Sequence, residues 1–315
     1  MIFQEANVGE WLKGKVAAIT GGGGGLGRAI ALAMSEEGAS IVVNDLGGSV
    51  DGVGSSTAAA QKVVDEIKAK GGKAVPNYES VTSMQGAENI VKMAIDHFRK
   101  LDIMVTCAGI LRDRMLFNMS EQEFDSVIAV HVKGTFACVK AASVTMRQQR
   151  SGRIITFTSS TGLFGNIGQA NYAAAKSAIT GITKCAALDL GRYGITVNAM
   201  APLAATRMTL TDDVKKSLAM QAEKGQLRSG FETTIDQMQP EDVAPAVCYI
   251  ASDLAANVNG QVIFSAGNEV AVVSPPRAVK TIWKPGRWTA EELVEIVPQT
   301  IAQGIVNPAP AQAAK

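Results

Sequence analysis

The chain has 315 residues, a length that suits one large α/β domain or two small ones and is ample for a sizeable core. Its 30 basic and 29 acidic side chains leave a net charge of +1, so charge gives no reason to expect nucleic acid or an anionic membrane as a partner. The four cysteines are scattered and only two histidines are present, which argues against a metal site or a disulfide framework and favours a reducing compartment.

The sequence predicts no targeting or membrane segment. No apolar run approaches the ~20 residues of a membrane-spanning helix. Residues 1–10 lack the basic and apolar regions of a signal peptide, and the last residues, Ala313-Ala314-Lys315, are not a peroxisomal address. We therefore expect a cytoplasmic protein.

Strand-like apolar runs alternate with helix-like segments through most of the chain. The predicted strands are 15–20, 40–44, 73–77, 103–107, 153–158, 196–200 and 261–264. The predicted helices are 26–37, 58–70, 87–100, 121–149, 170–190 and 241–252, of which 121–149 is long enough for two helices. Apolar strands that alternate with helices indicate a parallel sheet buried on both faces. The predicted fold class is therefore α/β: a doubly wound, parallel, seven-stranded, Rossmann-like sheet with helices on both faces.

Two regions interrupt this alternation. Residues 203–240 are longer than an ordinary connection, and we predict a substrate lid there. Its apolar side chains are Met208, Leu210, Leu218, Met220, Leu227 and Phe231, and an ordinary amphipathic helix at about 213–224 is the alternative. After a dinucleotide-binding catalytic domain at 1–270, residues 271–315 are predicted to form a C-terminal extension, with a capped helix at 290–297 and a disordered end at 307–315.

A glycine-rich run, Thr20-Gly21-Gly22-Gly23-Gly24-Gly25-Leu26-Gly27, follows the first predicted strand and opens a helix. Glycines let the backbone approach a pyrophosphate closely, and the helix N-terminus supplies N–H donors. Because glycines also serve ordinary tight turns, it is the strand–turn–helix context that gives the motif its weight. The pattern predicts a phosphate cradle.

Asp45 ends the second predicted strand, at the place where such a fold binds the adenosine ribose. A carboxylate there accepts hydrogen bonds from the ribose hydroxyls and repels the 2′-phosphate of NADP. No Arg or Lys follows it directly. The pattern favours NAD over NADP, and a plain turn aspartate is the alternative.

Tyr172 and Lys176 lie four residues apart at the start of a predicted helix, and Ser159 lies at the end of the preceding strand. This spacing puts Tyr172 and Lys176 on one helix face, although such pairs are also common on exposed helices. Oxidation of a secondary alcohol needs a base for the hydroxyl proton, and a tyrosine can serve if its pKa, ordinarily about 10, is lowered. A neighbouring ammonium favours the phenolate, and a serine hydroxyl can hold the reacting oxygen. The trio predicts interconversion of a secondary alcohol and a ketone.

With these motifs in this order over roughly residues 13–266, the chain resembles the short-chain dehydrogenase/reductase family. The resemblance implies a catalytic triad of Ser159, Tyr172 and Lys176, of which Tyr172 and Lys176 also contact the cofactor. The other cofactor-binding residues that it implies are Thr20, Gly21, Gly25, Leu26, Gly27, Asp45, Ser80, Val81, Ala108, Gly109, Pro202 and Thr206. We further expect a homo-oligomer, either a dimer or a tetramer.

Three positions depart from the family pattern. Thr106-Cys107 stand where the family has two asparagines, and Leu203 stands where it has a glycine. His131 occupies the position of the family's catalytic asparagine and is therefore a fourth catalytic candidate. Two interpretations of His131 stay open: it holds the proton-relay water, or it merely packs.

A narrower resemblance concerns the dehydrogenase unit of peroxisomal multifunctional enzymes of type 2. It rests on residues 43–56, 109–114, 165–166, 168–172, 201–202 and 207–209 and on the helix histidine, His131. That family oxidises (3R)-hydroxyacyl-CoA thioesters, and its relatives act on 17-beta-type hydroxysteroids or steroid-CoA esters. The resemblance favours an acyl-CoA substrate over a steroid. A dinucleotide-binding module without turnover is a further alternative, which the complete triad disfavours.

A CoA substrate would need basic groups near the cleft. The candidates are Arg112, Arg114 and Arg207, which lie in loops after predicted strands. Ordinary surface charge is the alternative for all three.

Overall fold

The computed structural model describes residues 10–206 and 238–308. Its strands are β1 (Val16–Thr20), β2 (Ser40–Asn44), β3 (Lys73–Asn77), β4 (Ile103–Thr106), β5 (Gly152–Phe157), β6 (Ile195–Leu203), β7 (Val262–Ala266) and β8 (Glu269–Val273). Its α-helices are α1 (Gly25–Glu36), α2 (Ala58–Ala69), α3 (Met84–Phe98), α4 (Glu121–Ile128), α5 (Gly134–Gln149), α6 (Ser160–Phe164), α7 (Ala170–Gly191), α8 (Pro240–Ala251) and α9 (Ala290–Ile296). Every strand and helix predicted within the described residues is present, with ends shifted by a few residues.

The eight strands form one sheet in the order β3-β2-β1-β4-β5-β6-β7-β8. Strands β1 to β7 are parallel, as predicted, and β8 pairs antiparallel with β7. The sheet therefore has one strand more than the predicted seven, and the additional strand is β8 at its edge. β8 follows β7 through a two-residue hairpin in which Gly267 has a positive φ of 50°. Alternation of strands with helices does not predict a hairpin at the end of a sheet, which is why the sequence pattern missed β8.

The sheet is buried on both faces. Ala17 and Ile19 of β1 point into one apolar layer, where they pack with residues of α1, α2 and α8. Val16 and Ala18 point into the opposite layer, which α3, α5 and α7 cover. Successive side chains of a strand alternate between faces, so an unbroken apolar strand needs a helical layer on each side. This arrangement confirms the predicted doubly wound architecture.

The strand order reverses at β1, which lies between β2 and β4. In open α/β sheets the ligand cleft lies at such a reversal, outside the carboxyl ends of the strands. The segments that follow β1, β4, β5 and β6 are therefore those that the fold places around a common cleft.

The predicted long helix at 121–149 consists of α4, a π-helical turn at Ala129–Lys133, and α5. Glu121–Gln149 has the length and mean hydropathy of a membrane-spanning helix, but half of its most apolar window is buried inside the fold. Packing of α5 against the sheet and α3 accounts for this apolar composition. The described residues therefore show no clear membrane span.

The chain divides into two compact units, Met1–Val273 and Ser274–Lys315. The first contains the whole sheet. In the second, α9 begins with the predicted capping box, because Glu292 N donates to Thr289 Oγ1 at 3.3 Å and Thr289 N donates to Glu292 Oε2 at 2.8 Å. Most of the predicted lid, with Arg207 and all six of its apolar side chains, lies outside the described residues, as does most of the predicted disordered end.

Candidate active site

The glycine run forms the turn between β1 and α1. Gly21 has a φ of +67°, and a Cβ there would lie 2.8 Å from the Ala108 backbone. A Cβ on Gly27 would lie 2.1 Å from the Gly21 carbonyl oxygen. Among the described residues nothing lies within 4 Å of a Cβ built on Gly24, which precedes α1, and no side chain caps the helix there. The turn therefore packs too tightly for side chains and leaves the N-terminus of α1 open, which suits the phosphates of a dinucleotide.

Asp45 follows β2 and lies beside the glycine turn. Its Oδ2 accepts a hydrogen bond from Gly23 N at 2.8 Å, and its Oδ1 accepts one from Gly47 N at 2.7 Å. The carboxylate thus stands at the end of β2 next to the phosphate cradle. Through its bond to Gly47 N it also stabilises the turn after β2, which is the alternative role of a plain turn aspartate.

A cleft of about 390 Å³ opens at the carboxyl ends of β1, β4, β5 and β6, within the size range of small-molecule sites. The predicted site residues that line it are Gly21, Gly25, Leu26, Gly27, Gly109, His131, Ser159, Tyr172, Lys176, Pro202 and Thr206. The predicted residues outside its lining are Thr20, Asp45, Ser80, Val81 and Ala108.

The predicted residues outside the lining make contacts within the fold. Thr20 Oγ1 accepts a hydrogen bond from Ala108 N at 3.2 Å, which joins the end of β1 to the segment after β4. Val81 is buried in the α3–α5 layer, where it packs against Gly134. Ser80 hydrogen-bonds Thr82 at 2.9 Å. That the resemblance places Ser80 and Val81 among the cofactor-binding residues stays a prediction.

Ser159, Tyr172 and Lys176 meet on the β5 side of the cleft. β5 ends at Phe157, and Ser159 caps the short helix α6 by accepting a hydrogen bond from Thr161 N at 3.2 Å. Because α7 begins at Ala170, Tyr172 and Lys176 lie in its first turns, and Lys176 Nζ is 5.4 Å from the centre of the Tyr172 ring. The structure thus brings the predicted trio together.

Lys176 is buried and attached to the end of β5. Its Nζ donates to the Phe157 carbonyl oxygen at 2.7 Å, and Thr158 Oγ1 donates to the Lys176 carbonyl oxygen at 2.8 Å. Burial lowers the pKa of Lys176 to about 8. The side chain therefore keeps its positive charge at neutral pH and is held in place by the strand.

Burial raises the pKa of Tyr172 to about 12, against a lowering by its hydrogen bond to Ser159. The phenol has left water, and the cost of desolvating its phenolate exceeds the stabilisation by Ser159. The expectation that Lys176 favours the phenolate stays a prediction. A further positive charge beside the phenol, such as that of an oxidised nicotinamide ring, would favour the phenolate in the same way.

His131 lies in the π-helical turn and is fully buried. Its ring meets the Tyr172 ring edge-on, with centroids 5.3 Å apart, and its Nε2 lies 2.8 Å from the Ile110 carbonyl oxygen. Burial lowers the pKa of His131 to about 3, and the charge of Lys176 adds to this effect, so the imidazole is neutral. Its Nδ1 is buried without a hydrogen-bond partner among the described residues. The His131 ring thus packs against Tyr172, and a proton relay through its Nδ1 stays a prediction.

Three polar residues to which the sequence assigned no role help to build this site. Asn171 is fully buried; its Nδ2 donates to the Arg112 carbonyl oxygen at 2.8 Å, and its Oδ1 accepts from Tyr172 N at 2.7 Å. Asp113 and Gln169 are hydrogen-bonded to each other at 2.7 Å and line the cleft with Tyr172. The position of Asn171 directly before Tyr172 could have indicated a role in the site. No pattern in the sequence predicts the contact between Asp113 and Gln169.

Two of the three candidate arginines, Arg112 and Arg114, form contacts with other residues of the protein. Arg114 pairs with Glu123 at 2.9 Å, and Arg112 Nε donates to the Asp51 carbonyl oxygen at 2.9 Å. The Ser120 N–H and the Arg114 guanidinium together hold the pKa of Glu123 at about 2. Both arginines thus fit the interpretation as surface charge that the sequence left open.

Residues 15–218 match the family model described as short chain dehydrogenase. The chain belongs to the short-chain dehydrogenase family and is an oxidoreductase. Enzymes of this fold typically bind a nicotinamide dinucleotide. The predicted family is confirmed.

Individual relatives narrow the comparison. The chain is 41% identical over 297 residues to the hydroxyacyl-CoA dehydrogenase ChsB1 of Mycobacterium tuberculosis, covering 89% of this chain and 87% of that protein. It is 41% identical over 254 residues to peroxisomal multifunctional enzyme type 2 of Mus musculus, covering 81% of this chain but 32% of that longer protein. The crystal structure of a short chain dehydrogenase from Mycobacterium avium matches with a TM-score of 0.79 at 40% identity, covering 96% of this chain and 100% of that chain. The narrower resemblance is therefore confirmed as well.

Proposed function

We propose that the protein interconverts a (3R)-hydroxyacyl-CoA and the corresponding 3-oxoacyl-CoA with NAD. The observation that carries this proposal is the meeting of Ser159, Tyr172 and Lys176 in one cleft with the glycine turn. The choice of an acyl-CoA rests on likeness to a relative named as a hydroxyacyl-CoA dehydrogenase.

In the proposed mechanism Tyr172 moves the proton. Its phenolate oxygen accepts the proton of the substrate hydroxyl as the hydride leaves the carbinol carbon. Ser159, whose side chain acts on the phenol and lowers its pKa, holds the same substrate oxygen beside it. When bound, NAD accepts the hydride, and its charged ring favours the phenolate.

Lys176 acts by position and charge. Its ammonium is held at the Phe157 carbonyl oxygen, behind the Tyr172 ring. From there it can donate a further hydrogen bond to the nicotinamide ribose, since an ammonium carries three N–H donors. Its role is therefore to hold the cofactor next to the tyrosine.

The residues present fit a nicotinamide dinucleotide, and Asp45 favours NAD over NADP. The turn at Gly21 and Gly27 leaves no room for side chains, so a pyrophosphate can approach the backbone. The Asp45 carboxylate beside that turn would repel a 2′-phosphate, and residues 46–56 contain no Arg or Lys to compensate it.

A substrate panel with both cofactors tests the proposal. NADH formation would be measured with purified protein on (3R)- and (3S)-3-hydroxyacyl-CoAs, free hydroxysteroids and steroid-CoA esters. We expect oxidation of the (3R)-thioesters with NAD and at least about tenfold lower kcat/KM with NADP. Activity confined to hydroxysteroids would replace the proposed substrate, and activity confined to NADP would contradict the role of Asp45.

A further inference from the structure

Asp113 and Gln169 form a hydrogen-bonded pair on the wall of the catalytic cleft. Gln169 Nε2 donates to Asp113 Oδ2 at 2.7 Å, and both residues line the cleft together with Tyr172. Asp113 belongs to the segment after β4, and Gln169 directly precedes α7. Arg114 N donates to the Gly168 carbonyl oxygen at 2.8 Å, so backbone contacts hold the same two segments together.

The Gln169 amide has a fixed orientation. Its Oε1 accepts hydrogen bonds from Thr161 Oγ1 at 3.2 Å and from Asn166 Nδ2 at 2.9 Å. These contacts direct the amide nitrogen to Asp113 and leave its second N–H without a partner among the described residues. Asp113 Oδ1 likewise has no hydrogen-bond partner in the described part of the chain. The pair thus offers the cleft one donor and one anionic acceptor.

Among the described ionisable groups that line the cleft around Tyr172, Asp113 is the carboxylate. The others are Lys176, which is held at Phe157, the neutral His131, and Cys107, whose pKa burial raises to about 12. Partial burial raises the pKa of Asp113 itself, and its charge contributes to the raised pKa of Tyr172. A second anion brought in beside the reacting carbon would therefore be repelled.

We propose that Asp113 and Gln169 are specificity-determining residues that admit a neutral acyl group, such as a thioester or an amide, beside the reacting carbon and reject a free carboxylate there. The Gln169 N–H suits a carbonyl oxygen, and the free Asp113 oxygen suits an N–H or O–H group of the substrate. The inference rests on the proposed function, because a 3-hydroxyacyl thioester carries a neutral carbonyl close to its carbinol carbon.

The test compares two forms of one substrate, the N-acetylcysteamine thioester of (3R)-3-hydroxybutyrate and its free acid. In wild type the thioester should have the higher kcat/KM. In Asp113→Asn this preference should fall by about tenfold, through a lower KM for the acid. The pH midpoint of thioester oxidation should also move lower, because the charge that raises the pKa of Tyr172 is gone. An unchanged preference in Asp113→Asn overturns the inference.

Asp65→Asn is the matched control. Gln61 Nε2 donates to Asp65 Oδ1 at 2.7 Å, so α2 carries the same kind of pair on the exposed surface, outside the catalytic cleft. The preference of Asp65→Asn for the thioester over the acid, and its pH midpoint, should equal those of wild type. An equal drop in preference in both variants would overturn the inference, because it would show an effect of charge on the whole molecule.

A binding measurement separates this inference from the proposed function. Should wild type oxidise neither of these forms nor any (3R)-3-hydroxyacyl-CoA, the proposed function fails. Thermal shifts would then be measured in the presence of NADH, with the N-acetylcysteamine thioester of 3-oxobutyrate and with acetoacetate. Stabilisation of wild type by the thioester alone, and of Asp113→Asn by both, supports the inference. Equal responses of the two proteins to both ligands overturn it.

Discussion

At the scale of single residues, burial sets the protonation states in the cleft. It raises the pKa of Tyr172 to about 12 and lowers those of Lys176 and His131 to about 8 and about 3. Withdrawal from water is the largest cause of each of the three shifts. Each shift favours the uncharged form of its group, and a positive charge beside the phenol would favour the phenolate.

His131 predicts a pH dependence of stability. Its pKa is about 3 in the folded chain and about 6.5 when unfolded, so between these values only the unfolded chain binds the proton. The free energy of unfolding should therefore fall as the pH drops below about 6.5, and His131→Asn should lose this part of the slope. Melting temperatures from about pH 7.5 to about pH 5 measure it. The exposed His97, changed to Asn, is the control and should keep the wild-type slope. Equal slopes in wild type and His131→Asn would contradict this account.

At the scale of elements, the segment after β4 and the π-helical turn fit together through a glycine. A Cβ on Gly109 would lie 2.4 Å from His131 Cε1, so this glycine gives the imidazole its place against Tyr172. The sequence could predict Gly109 as a site residue from its motif. It could not predict the contact, since the π turn interrupts a segment whose apolar pattern is that of an ordinary helix.

Gly109→Ala should therefore displace the His131 ring. We expect a loss of about 1–3 kcal/mol in the free energy of unfolding, with a lower kcat/KM, because overpacking a tight core forces its neighbours to move. Gly181→Ala in α7 is the matched control, since a Cβ there meets open space. It should raise the free energy of unfolding by about 0.5–1 kcal/mol. Both values come from denaturant titration, and a Gly109→Ala protein as stable as wild type would refute the contact.

At the scale of the whole molecule, the reversal of strand order at β1 gathers residues that are far apart in the chain. The glycine turn and the Tyr172–Lys176 pair were predictable because each is a short motif with a fixed place in the fold. The Asp113–Gln169 contact joins residues 56 positions apart, and no local pattern encodes it. Solvent exclusion is likewise a property of the assembled fold, so the effect of burial on the pKa of Tyr172 was not predictable from the sequence.

The central claim is that Tyr172 transfers the substrate proton to make NAD-linked oxidation possible. The most direct measurement is NADH formation from a (3R)-3-hydroxyacyl-CoA by Tyr172→Phe, beside a fluorescence titration of NADH binding. Tyr249→Phe, at an exposed position of α8, is the control and should match wild type. The account predicts that Tyr172→Phe loses activity by about 10²–10⁴-fold and keeps its affinity for NADH. Full activity in Tyr172→Phe would contradict it.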